Sequence, residues 1–156
     1  MTTASLSELR RALKNVPSSD LPDLCIRLAR YKKENKELLS YLLFEADDEP
    51  EYIKGVKTEI DQHFRELVRT TPYSTKKSLR KALTFTNKRI RYSGQKRTEA
   101  ELLIYFCKIF RKEAPFRNNI TIKNIYIRLI ERIKKTIATL HEDLQFDYGE
   151  ELKLLE

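Results

Sequence analysis

Between Ile53 and Leu67 the apolar residues Ile53, Val56, Ile60, Phe64 and Leu67 follow one another at steps of three, four, four and three. That spacing marks one face of a helix, and it recurs along the chain. Leu6, Leu9 and Leu13 share it, as do Leu21, Leu24, Leu28 and Tyr31. So does the run Ile122, Ile125, Leu129, Ile133, Ile137 and Leu140. Only three Gly and five Pro interrupt the chain, which suits long helices joined by short turns. The expected fold is all-α, with six to eight helices. Helix starts near Lys36, Thr75 and Asn119 are spaced about 39 and 44 residues apart, within the range of HEAT-like arrays. The residues themselves do not repeat, so a HEAT-like helical-hairpin array and an irregular helical bundle both remain open.

Turn and cap signals divide the chain. Ser5 with Glu8, and Thr98 with Glu101, have the spacing of capping boxes. Asp20 is placed to cap a second helix, with Pro22 in its first turn. The polar run Lys32–Glu37 interrupts an apolar stripe that resumes at Leu38; between one continuous helix from Asp20 to Ala46 and a turn near Asn35 that makes an antiparallel helical pair, the interruption favours the pair. Asp47-Asp48-Glu49-Pro50 opens the helix of Ile53. Thr70-Thr71-Pro72 closes it, and Ser74 or Thr75 is expected to cap the next. Residues 1–140 read as a single helical domain. The tail, 141–156, holds six acids and one Lys, with apolar anchors that would pack it back on the domain; whether its acids then face the basic helix stays open.

The charge is concentrated. From Leu67 to Arg97 there are ten Lys and Arg and no acid, against a whole-chain net of +8. This is not a disordered basic tail, because Leu79, Leu83, Thr86 and Ile90 supply a helical stripe. At about 100° per residue, Lys77, Arg80, Lys81, Lys88 and Arg91 fall on the side opposite those leucines. Lys76, Arg89, Lys96 and Arg97 lie close enough to assist. Tyr73, Tyr92 and Tyr31 stand near cations, where an aromatic ring could stack on a base.

Other chemistry finds little support. No Walker A loop, GxGxxG, GxSxG or HExxH is present, which leaves no local phosphate cradle, nucleophile elbow or zincin site. His141 with Glu142, Asp143 and Asp147 reads as a solvated helix end rather than a metal site. Cys25 and Cys107 are far apart, in no CxxC, and read as buried free thiols. Nothing suggests a cofactor. No run approaches the roughly 18 apolar residues of a membrane span, and Met1–Val16 has no continuous apolar core of the secretory type. A cytoplasmic protein is expected.

Two stretches, Cys25–Ala46 (CIRLARYKKENKELLSYLLFEA) and Leu140–Tyr148 (LHEDLQFDY), resemble a family of small all-helical bacterial proteins without an assigned activity. The resemblance implies an all-helical bacterial cytoplasmic protein and carries no functional residue over.

The functional expectation is therefore a non-enzymatic binding protein. Its basic helix would meet the phosphate backbone of DNA or RNA through Lys77, Arg80, Lys81, Lys88 and Arg91. The alternative is a protein–protein scaffold or adaptor that binds an acidic partner.

Overall fold

The computed structural model describes all of residues 1–156. It is entirely helical: eight helices and no strand. They are α1 (Leu6–Lys14), α2 (Leu21–Tyr31), α3 (Lys33–Phe44), α4 (Glu49–Arg65), α5 (Pro72–Ser93), α6 (Lys96–Glu113), α7 (Ile120–Ile137) and α8 (Glu142–Lys153). The chain divides into two compact units, Met1–Phe44 and Glu45–Glu156. The division falls inside the span 1–140 expected as one domain, and 141–156 belongs to the second unit. The reason lies in burial: the apolar stripes of the first three helices are largely left in solvent, so they add little to a common core.

In the first unit the capping box of α1 forms as expected, with the Ser5 hydroxyl and the Glu8 carboxylate each satisfying the other's backbone N–H. Asp20 occupies the N-cap of α2, yet its side chain makes no capping bond. The break between α2 and α3 comes at Lys32, in extended backbone, and not at Asn35. Asn35 lies inside α3 and donates its side-chain amide to the Leu28 carbonyl at 2.8 Å. It thereby satisfies one of the orphan carbonyls that end α2, and α2 packs on α3. Cys25, expected inside, is exposed.

The second unit has a zigzag order. Each of α4 to α7 packs on the next helix, and α4, α5 and α6 each also pack on the next but one. This sets α4, α6 and α8 in one row and α5 and α7 in another. α6 is the central helix. Leu102, Leu103, Phe106 and Cys107 on it are fully buried, and burial pushes the Cys107 thiol up to about 12. A ladder of rings runs through the core: Phe64 meets Phe106 edge-on at 5.1 Å, Phe110 lies 6.5 Å beyond, and Tyr126 of α7 lies 5.3 Å from Phe110.

Several helix ends differ from the sequence reading. α5 starts at Pro72 with Thr71 as N-cap, its hydroxyl accepting from the Ser74 N–H. Proline needs no donor at the first helical position, so the helix begins a turn earlier than Ser74 or Thr75 would set it. Thr75 is instead buried and donates to the Val68 carbonyl at 2.7 Å. The second capping box does not form. α6 starts at Lys96, and the Thr98 hydroxyl is taken by Glu49 of α4 at 2.5 Å. Glu101 pairs with Lys57 at 2.7 Å. Gly149 interrupts nothing and sits inside α8.

Two glycines should respond oppositely to alanine. Gly55 lies within α4, and a Cβ there would meet nothing within 4 Å. Gly55→Ala should add about 0.5–1 kcal/mol by removing the entropy that a mid-helix glycine loses on folding. Gly94 ends α5 with φ at 68°, where a Cβ crowds the following carbonyl at a cost of about 1–2 kcal/mol. Thermal melts should show G55A above and G94A below the parent protein.

Candidate nucleic-acid interface

The two rows differ in charge. Counted over their helical spans, α5 carries seven cations and no acid, and α7 carries five cations and one acid, so their row sums to +11. By the same count α4 is −1, α6 is +2 and α8 is −4, so the other row sums to −3. Helix–helix packing thus sorts the helices of the second unit into two rows of opposite sign.

The core face of α5 is set by Thr75, Leu79, Ala82, Thr86 and Ile90, all buried. Lys77, Arg80, Lys81 and Arg91 are exposed on the opposite side and enter no ion pair. Lys88 shares that side but is half-buried and engaged within the protein. The four assisting cations mostly serve the fold. Arg89 reaches Glu59 of α4 at 3.2 Å and lies over the Phe85 ring at 4.9 Å. Lys96 pairs with Glu99 at 2.9 Å, and Arg97 donates to the Tyr148 hydroxyl at 3.4 Å. Lys76 lies 5.6 Å from the centre of the Tyr73 ring.

α7 completes the arrangement. Arg132 bridges three helices: it donates to Asn87 of α5 at 2.6 Å and to Glu99 of α6 at 2.8 Å. Burial works to raise the Glu99 carboxyl. Hydrogen bonds from Lys96 and Arg132 outweigh it and hold the group below the ordinary carboxylate value. Asn87 lies on the same flank of α5 as Arg80 and Arg91, within two turns along the helix. Arg128 and Lys135, a turn either side of Arg132, are both exposed. The seam between α5 and α7 is therefore bordered by Arg80, Arg91, Arg128, Arg132 and Lys135. Arg80 to Arg91 spans roughly 16 Å at 1.5 Å per residue. The sequence singles out α5 alone; Arg128 and Lys135 acquire meaning only once α7 is known to lie beside it.

On the other flank of α5, Lys81 faces α4. The His63 imidazole packs at 4.7 Å from the Phe85 ring, and burial together with the nearby Lys81 charge lowers its pKa.

The acidic tail, which the sequence left open to cover this face or not, does not cover it. It forms α8, which packs on α6 and α7 and not on α5. Tyr148, Leu152 and Leu155 anchor it, Glu151 pairs with Lys108 at 2.6 Å, and Glu156 pairs with Lys134. Lys108 and Lys134 belong to α6 and α7, so these two acids are held away from α5. Of the tyrosines, Tyr73 is exposed at the start of α5, whereas Tyr92 is buried against Arg89 and cannot take a base. Tyr31 is exposed in the first unit.

His141 caps α8, accepting from the Asp143 N–H. No three His, Cys, Asp or Glu side chains gather to hold a metal ion. No helix is long and apolar enough to cross a membrane. In comparisons with known proteins, no family model matches the chain, and no curated protein or solved structure matches it.

Proposed function

We propose that the protein binds nucleic acid in the cytoplasm, without catalysis, through the phosphate backbone laid along the α5–α7 seam. Arg80, Arg91, Arg128 and Lys135 border the seam, Arg132 holds its two helices together, and Lys77 and Lys81 extend the cationic face across α5. The observation that carries this reading is the exposure of Lys77, Arg80, Lys81 and Arg91 without ion-pair partners, while the acid-bearing α8 packs on α6 and α7 and not on α5. Unneutralised cations on a rigid helix release counterions when phosphates replace them. No base-reading element is implied, so the preference should be for charge and backbone over sequence.

His63 supplies the test. Its pKa is lowered partly by Lys81. A polyanion seated on α5 would offset that cation and raise the His63 value. An NMR titration of His63 with a labelled single-stranded and a duplex oligonucleotide at low salt should show the upward shift along with binding. Absence of binding to either oligonucleotide would remove the proposal. Without nucleic acid, stability should fall as pH drops below 6.5, the ordinary histidine value, because the unfolded chain takes up the proton first. An acidic protein would use the same cations; a stoichiometric partner retained after nuclease treatment would favour that reading instead.

A further inference from the structure

The first unit leaves its apolar residues in water. Leu6, Leu9 and Leu13 of α1, Leu24 and Leu28 of α2 and Leu42 of α3 are all at least 41% exposed, and Tyr41 is the one buried side chain on the three helices. α1 packs on neither α2 nor α3. A nine-residue helix is too short to persist in water on its own, where the threshold is about 12–15 residues. A segment this small, near the roughly 40-residue limit for independent folding, ordinarily needs disulfides, metals or a second chain. Its single Cys25 is unpaired, so no disulfide within the unit supplies the missing support.

We infer that Met1–Phe44 is a self-association module, its apolar faces covered by the same unit of a second copy. Two features select a second copy over another occupant. The first is area. Eleven large apolar residues of α1 to α3 are exposed by 36–81%. Scaled by those exposures, at on the order of 100 Å² for a fully exposed side chain, they offer about 600 Å², close to the roughly 800 Å² per partner of a stable interface. The second is charge. α1 and α2 each carry acid in the first turn and base in the last: Glu8 against Arg11 and Lys14, Asp23 against Arg30. A two-fold axis runs paired helices antiparallel and makes each surface its own complement. Asp23 of one copy then lies toward Arg30 of the other.

The test is the mass of the full chain after nuclease treatment, by light scattering and sedimentation equilibrium, so it does not depend on nucleic-acid binding. The expected mass is twice 18.6 kDa. Leu24→Asp with Leu28→Asp should raise the dimer dissociation constant more than about 100-fold while the melting transition of the second unit persists. Should that variant lose α1 to α3 altogether, the charge pair still decides. Asp23→Arg should loosen the dimer, and adding Arg30→Asp should restore it. A chain that stays at 18.6 kDa up to about 100 µM overturns the inference. So does a dimer indifferent to the Leu24 and Leu28 changes, or a monomer that co-sediments with phosphatidylserine vesicles. Failure of the charge swap to restore the dimer would overturn the antiparallel two-fold arrangement.

Discussion

Reversing one seam arginine on each helix, Arg80→Glu with Arg128→Glu, is expected to abolish oligonucleotide binding at low salt and leave the fold intact. Both side chains are exposed and Arg80 makes no ion pair, so substitution there should cost less than about 0.5 kcal/mol of stability. The loss of affinity is large because of how the binding energy arises. Each phosphate contact multiplies the association constant by about the inverse salt concentration raised to 0.9, which at 50 mM is roughly 15-fold. Losing two contacts removes about 200-fold, and the introduced carboxylates repel the backbone further. Circular dichroism and melting should match the parent protein. Arg132 is deliberately left alone, because it holds Asn87 and Glu99 and its loss would leave the buried Glu99 carboxylate with Lys96 as its one cationic partner.

Phe106→Ala is expected to do the reverse, removing stability and leaving surface chemistry untouched. Phe106 is wholly buried at the centre of the ring ladder, 5.1 Å from Phe64 and 6.5 Å from Phe110. The cavity should cost about 3–5 kcal/mol, set against a typical total of about 5–15 kcal/mol. For a unit near 100 residues that lowers Tm by roughly 12–20 °C or more. Calorimetry of the full chain would read it, and a Tm within a few degrees of the parent would mean that α6 is not the central helix of the second unit.

The helices were legible in the sequence because each one writes its own period. The stripe Ile53, Val56, Ile60, Phe64 is buried as the spacing implies, and the basic side of α5 stands opposite its leucines. Caps were less legible where tertiary partners compete for the same group. Thr98 has the sequence signature of a capping box, yet Glu49, far away in the chain, claims its hydroxyl. Charge pairing across helices was not legible at all. Nothing in the spacing of Arg132 announces Asn87 and Glu99, and nothing in the tail says that Glu151 and Glu156 will meet Lys108 and Lys134. The stripes of α1 and α2 show the same limit from the other side. Helical spacing identifies a face that must be covered and is silent on whether the cover comes from the same chain.

The salt dependence of oligonucleotide affinity tests the central claim most directly. Four to six phosphate contacts from the α5–α7 row should give a slope of log association constant on log salt between about −3.6 and −5.4, its magnitude falling by about one for each seam cation removed. A slope near zero, or one unchanged by Arg80→Glu with Arg128→Glu, would contradict it.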